Sequence, residues 1–281
     1  MFAVSVHCRK APFGDTAAMN LTQARKSQFD RDGYLAFPDI LSPAEVDSAR
    51  AALSQLIQEK AANPDQVGRL MVQYEPGFQA DTGDAADELR VRKLMRFCEG
   101  NACLASLAKG HPKIGEIVES IIGPDPIMFQ DMALIKPPFI GTEKPWHQDN
   151  AYFAVTPLES VIGVWIALDD ATVTNGCMHV LAGAHKEGPR RHHHTSDCEI
   201  VPERLNVANA RPVELPAGGA MFFAGMLPHQ TPPNSSPARR RALQFHYRGA
   251  GSQIVTKDEY DRVYAEADGT PASCAAAQPS R

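Results

Sequence analysis

Apolar residues repeat at two different spacings along the chain, and the change falls near Gly123. Before it, they recur every three or four residues, as one buried face of a helix requires. The stretch from Leu21 to Asp32 reads as a helix that ends at Gly33, a residue suited to a left-handed terminal position. A short strand is expected from Tyr34. The next helix opens at Ser42-Pro43, with Glu45 placed to complete a capping box. Val46, Ala49, Leu53, Leu56 and Ile57 then form one apolar stripe. Residues Asn63 to Asp87, rich in Gly, Asp and Gln, read as a surface loop. "NACLASLAKGHPKIGEIVESIIG" is helical again, broken near Gly110 and Pro112.

Beyond Gly123 the pattern shortens. "PIMFQDMALIKPP", "SVIGVWIALDDA", "GCMHVLAGAH", "ARPVELPAGGAMFFAG" and "RRALQFHYRG" are rich in β-branched and aromatic residues, separated by Pro, Gly, Asn and Asp. These are strands joined by tight turns, with Asn175-Gly176 as one such turn. No alternation of strands and helices marks a parallel sheet. The fold class expected is α+β with a mainly β core, a sandwich or barrel. Residues 1–20 read as a flexible extension, possessing a second methionine, Met19, just before regular patterning starts. Residues 21–251 read as a single domain, helical over 21–123 and β over 124–251. Residues 252–281 read as a short helix within "KDEYDRVYAEADG" followed by a mobile tail.

Composition narrows the classes. The 281 residues are 43% hydrophobic and 22% charged, with a formal net charge of -5, so no basic face points to nucleic acid. No run of about 18 apolar residues suggests a membrane span, and the N-terminus lacks the order of a secretory signal. The six cysteines, Cys8, Cys98, Cys103, Cys177, Cys198 and Cys274, form no C-x-x-C pair. Reduced thiols in a cytoplasmic protein are therefore expected.

The candidate chemistry starts in "KPWHQDNAYF". In an extended strand, residues i and i+2 share a face, so His147 and Asp149 can share one metal ion. A second histidine would complete a two-histidine, one-carboxylate set with open positions for substrate and oxygen. His229, after the strand "AMFFAG" and a Pro turn, supplies that candidate. A 2-oxo acid chelated at such a metal needs a fixed cation for its distal carboxylate, and arginine meets a carboxylate with two parallel bonds. Arg239, Arg240 and Arg241 all stand in the right segment.

Taken in order, "DGYLAFPDILSPAEV", "WHQDNAYF", "GVWIALDDATVTNGCMHVLAGAHKEG" and "PHQTPPNSSPARRRALQFHY" resemble the phytanoyl-CoA dioxygenase family of iron(II)- and 2-oxoglutarate-dependent oxygenases. The resemblance runs from about Gln28 to Tyr247. It implies a double-stranded β-helix, a jelly-roll or cupin-like barrel braced by N-terminal helices. It also implies iron ligands at His147, Asp149 and His229. The order Arg240-Arg241-Ala242-Leu243 matches the family's pattern, so the resemblance selects Arg240 for 2-oxoglutarate. Thr231, Gln130, Phe153 and Lys136 are implied near the same cosubstrate.

Substrate-facing candidates are Arg92 and Lys93 in "VRKLMRF", Trp165, His179, and Arg190 and Arg191 ahead of the histidine tract. That tract reads as a solvated loop or a lid, and His185 as mainly structural. The family's halogenases replace the carboxylate ligand with a small residue; Asp149 is intact, so hydroxylation of a small organic molecule with dioxygen is expected. The competing class is a cupin-like metal-dependent isomerase or a non-catalytic binding protein, neither of which needs the arginine.

Overall fold

The computed structural model describes residues 21–62, 69–76, 88–194 and 197–274. The expected extension 1–20, most of the loop expected between Asn63 and Asp87, and the end of the tail lie outside them. The helices are α1 (Gln23–Asp32), α2 (Pro43–Ala62), α3 (Ala102–Gly110), α4 (Pro112–Ile122) and α5 (Lys257–Val263). Local chemistry explains their ends. The Thr22 hydroxyl accepts the Arg25 amide, and Gly33, at φ 81°, stops α1 while its amide bonds to the Phe29 carbonyl. The Ser42 amide donates to the Glu45 carboxylate at 2.8 Å, and the Glu45 amide donates back to the Ser42 hydroxyl at 3.4 Å. The α2 stripe expected from the sequence is buried, with Ala52 beside it.

The strands are β1 (Tyr34–Phe37), β2 (Met71–Tyr74), β3 (Val91–Met95), β4 (Ile127–Lys136), β5 (Lys144–His147), β6 (Val155–Thr156), β7 (Val161–Ala167), β8 (Met178–Val180), β9 (His192–His194), β10 (Cys198–Ile200), β11 (Arg211–Val213), β12 (Ala220–Ala224), β13 (His229–Thr231), β14 (Arg240–Arg248) and β15 (Gln253–Ile254). A seven-stranded antiparallel sheet runs β1-β12-β7-β14-β4-β3-β2, and a four-stranded one runs β11-β8-β13-β5. From β4 to β14 the chain passes back and forth between them. Such a mainly antiparallel core with a few helices is the α+β class expected.

The large sheet is buried on both faces, which is why β7 is apolar along its whole length. Ile162, Val164 and Ile166 join a core with Leu53, Leu104 and Ile117 of the helices. Trp165 and Ala167 point the other way, into a core shared with Met178, Val180 and Val213 of the small sheet. Each fully buried aliphatic side chain contributes about 1.5–3 kcal/mol. The first core packs the helices against the large sheet, and the second holds the two sheets face to face, with a cavity between them.

The structure departs from the sequence expectation in several places; the histidine tract read as a loop or lid contains strand β9, paired with β10. β2 and β3 lie in the half read as helical, yet together with β1, the strand expected from Tyr34, they belong to the large sheet; β2 sits within the stretch read as a loop. A four-residue strand carries too little pattern to show itself without its partner β3. The tail is not free as far as Cys274: Tyr260, Tyr264 and Ala272 are fully buried with Ala151 and Met226. Finally, Cys198 and Cys274 are joined in a disulfide, which corrects the expectation of reduced thiols throughout. The two lie 76 residues apart, and only the packing of the tail beside β10 brings their Cα atoms to 6.0 Å. Cys98, Cys103 and Cys177 are free, and Cys8 lies outside the described residues. Among those residues no helix is long and apolar enough to cross a membrane.

Candidate active site

β5 ends at His147. Gln148 keeps extended backbone angles, φ -112° and ψ 131°, before Asp149 opens a single turn of 3-10 helix. The extended step leaves His147 and Asp149 on one side, as period-two geometry demands. β13 runs antiparallel beside β5 with His229 directly opposite His147, and their ring centroids are 4.2 Å apart.

Each imidazole is oriented by its own chain. Nδ1 of His147 donates to the Pro145 carbonyl at 2.8 Å, and Nδ1 of His229 donates to the Leu227 carbonyl at 2.9 Å. Carbonyls can only accept, so both Nε2 atoms are left bare. They converge on Asp149 Oδ1, at 3.3 Å from His147 and 3.7 Å from His229. The three ligand atoms lie within 4.8 Å of one another, and no other such group of His, Cys, Asp or Glu occurs among the described residues. Burial pushes His147 down to about 3 and also lowers His229, which favours the neutral form of each ring. Burial pushes the Asp149 carboxyl up, but His229 and His246 outweigh it and hold the group well below the usual range.

His246 was not singled out in the sequence. It is fully buried, and its Nε2 donates to Asp149 Oδ2 at 2.7 Å, with the Gln244 amide adding a second bond at 3.2 Å. The signal available was strand periodicity: Gln244 and His246 are four and six residues beyond Arg240, on the same face of β14.

A cavity of about 240 Å³ joins the triad to a cationic end. In the register of β4 and β14, Lys136 faces Arg240 at one end and Gln130 faces His246 at the other. Arg240 is 1% exposed. One guanidinium nitrogen donates to the Leu134 carbonyl at 3.2 Å, its plane lies 5.4 Å over the Trp165 ring, and its Nε has no partner. No carboxylate among the described residues pairs with it. Burial alone pushes its pKa down to about 10. Its neighbours in the arginine run differ: Arg239 pairs with Glu88 at 2.6 Å, and Arg241 grips Asp169 at 2.8 and 2.9 Å.

Residues 29–242 match the phytanoyl-CoA dioxygenase (PhyH) family. This chain belongs to that family. It is 26% identical over 274 residues to phytanoyl-CoA dioxygenase domain-containing protein 1 of Danio rerio, covering 85% of this chain and 94% of that one. It is also 26% identical over 252 residues to phytanoyl-CoA dioxygenase 1 of Oryza sativa subsp. japonica, covering 82% and 89%. Among solved structures, iron-bound EctD from S. alaskensis shares the fold with a TM-score of 0.68 at 20% identity, over 86% of this chain and 81% of that one. The α-ketoglutarate-dependent carbocyclase SnoK from nogalamycin biosynthesis does so with a TM-score of 0.63 at 22% identity, over 86% and 89%.

In this PhyH-family chain, Thr231, Gln130, Phe153 and Lys136 all line the cavity. The buried Oε1 of Gln130 has no partner. Lys136 donates to the carbonyls of Thr142 and Thr231, and burial, with Arg240 and Arg92 nearby, pushes its pKa down to about 6. Arg92 and Lys93 also face the cavity. Arg92 reaches the Glu143 carbonyl at 3.0 Å and Asp197 at 3.5 Å, whereas Lys93 makes no hydrogen bond or ion pair within the described residues. Lys144 and Tyr152, missed in the sequence, complete this wall; Lys144 pairs with Asp197 and the Tyr152 hydroxyl.

Four candidates are not brought to the cavity. Trp165 lies in the core beneath Arg240. His179 bonds to the Cys177 carbonyl at 3.3 Å on the opposite face of β8 from Met178, which does line the cavity. The Arg190 side chain pairs with Glu187, and Arg191 is exposed. Within the histidine tract, His192 is buried behind the ligand turn and His193 pairs with Glu199 at 2.9 Å. His185 packs against Gly33, away from the cavity.

Proposed function

We propose that this chain is an iron(II)- and 2-oxoglutarate-dependent oxygenase that hydroxylates a C–H bond of a small organic substrate. The observation that carries the reading is a buried Arg240, paired with no carboxylate among the described residues, at one end of a cavity whose other end holds two bare imidazole nitrogens and a carboxylate. A buried cation without a partner costs several kcal/mol, and a dicarboxylate reaching from a metal to Arg240 removes that cost.

The donor set fits the metal. His147, Asp149 and His229 would hold it with positions left open, the arrangement associated with non-haem iron. When bound, iron(II) with 2-oxoglutarate and dioxygen supplies the oxidation: the 2-oxo acid becomes succinate and CO2, and one oxygen atom enters the substrate as a hydroxyl group. The chain's own part is placement. Arg240 and Thr231 receive the distal carboxylate of 2-oxoglutarate, and Lys136 donates beside it. Phe153, Met132 and Leu134 keep water from the cosubstrate. His246 and Gln244 hold Asp149 so that one carboxylate oxygen faces the metal. The winding from β4 to β14 is read as the double-stranded β-helix of these oxygenases, with the site at its mouth.

The cavity must hold both the cosubstrate and the reacting end of the substrate, so that end is small. Arg92, Lys93, Lys144 and Tyr152 form the wall available to it, and Lys93 is the cation there whose side chain has no ion pair among the described residues. Retention of Asp149 supports hydroxylation over halogenation.

The test is succinate formation from 2-oxoglutarate with added iron(II) and air. Wild type should produce it even without substrate, slowly. His229→Ala should lose it, and His193→Ala, on the outer hairpin, should stay within about twofold. Freshly loaded wild type that neither binds 2-oxoglutarate nor forms succinate would overturn the reading.

A further inference from the structure

The residue between the two ligands of the β5 turn is held as tightly as the ligands themselves. Gln148 is fully buried. Its amide nitrogen donates to the Gly188 carbonyl at 3.0 Å and the Met226 carbonyl at 2.8 Å. Its Oε1 accepts from the Arg190 amide at 2.8 Å and from the Tyr264 hydroxyl at 2.7 Å. Both donors and both acceptor positions are thereby used, which leaves this side chain a single orientation.

Tyr264 comes from the C-terminal segment, far from the site in sequence. From it the chain returns along the back of the ligand turn. The Ala272 carbonyl accepts from the His192 backbone amide at 3.2 Å and, beside the closer Arg190 carbonyl at 2.7 Å, from His192 Nδ1 at 3.2 Å; His192 Nε2 in turn accepts the Gln148 backbone amide at 2.9 Å. The Cys274 amide donates to the Ala151 carbonyl at 3.1 Å, joined there by the Ser273 hydroxyl at 3.3 Å. The Cys198–Cys274 disulfide anchors the end of this strap to β10. None of these C-terminal residues lines the cavity.

We propose that residues 264–274 form a positioning strap for the ligand-bearing turn 147–151, with Tyr264 orienting Gln148 and the Cys198–Cys274 disulfide keeping the strap seated. The strap acts through Gln148 and Ala151, which flank Asp149 on either side. Loosening it widens the distribution of Asp149 positions relative to the two imidazoles and so weakens metal binding, without removing any ligand.

The proposal rests on the metal reading above, and one titration separates the two. Co(II), in place of iron(II), is titrated anaerobically into wild type, Tyr264→Phe, Cys274→Ser and Tyr247→Phe, following its d–d absorption. Tyr247 is the matched control: although it follows His246, its hydroxyl makes a buried bond to the Ala108 carbonyl of α3, in the helix-side core away from the ligand turn. Tyr264→Phe and Cys274→Ser should each raise the Co(II) dissociation constant about tenfold, the lower end of outer-partner effects, and alter the band shape. Tyr247→Phe should bind as wild type does. Thermal melts of the metal-free proteins report whether each variant is folded. Equal affinity and spectra in wild type and both strap variants would sink the proposal, as would an equal loss in Tyr247→Phe. Wild type that binds no Co(II) would overturn the metal reading, and the strap's role with it.

Discussion

Arg240 stands beside two arginines of the same charge and reach, and of the three it alone meets no carboxylate among the described residues. The resemblance to the family selected it by order in the sequence; the physical distinction is that Arg239, just before β14, and Arg241, within it, pair with Glu88 and Asp169 instead. Replacing Arg240 with Gln should weaken 2-oxoglutarate binding about 100-fold or more, the cost of removing one partner of a buried charge pair. Co(II) binding should be unchanged, and calorimetry on the same samples measures both. His246 makes a second test. It sits among Phe129, Phe153 and Phe223, so His246→Phe is accommodated in shape while losing the donor to Asp149. Co(II) affinity should fall about 10–100-fold, and an unchanged affinity would mean that Asp149 is held by its backbone alone. His147, Asp149, His229 and Arg240 were readable because spacing and ordered motifs name them. His246 was not, because a histidine between Phe245 and Tyr247 looks like part of an apolar strand until its partner is placed.

The elements were read with uneven success, for reasons of length and locality. Helix boundaries are written in short-range chemistry, and the caps at Thr22 and Ser42 and the stop at Gly33 lie where the residues demand. Gly33→Ala tests this. The left-handed φ costs a residue with Cβ about 1–2 kcal/mol, and the new carbon would stand 2.5 Å from His185 Nδ1. The melting temperature should drop by about 2–8 °C from the backbone strain alone, at 2–4 °C per kcal/mol for a chain near this size. Adding His185→Ala should recover part of that loss, because it removes the clash and leaves the backbone strain. Strand β2 was missed because four residues with little alternation carry a weak signal. The long strands β4, β7 and β14 were plain.

At the scale of the molecule, the candidate metal site draws its ligands from β5, the turn after it and β13, and its support from β14. Metal binding should therefore stabilise both sheets together. Co(II) at about 100 times its dissociation constant should add about 2.7 kcal/mol to the unfolding free energy, and His229→Ala should lose that gain. Thermal melts with and without Co(II) read the difference directly, and a wild type indifferent to Co(II) would contradict the site.

By itself the sequence determined the helix ends, most of the strands, the α+β class and the residues to suspect, because caps, turns and period-two patterns act between neighbours. Only the tertiary structure decided which candidates share a cavity. It set His246 behind Asp149, left Trp165, His179, Arg190 and Arg191 outside, and joined Cys198 to Cys274. Those outcomes depend on strand register and on packing between segments many tens of residues apart, and no local pattern in the chain encodes them.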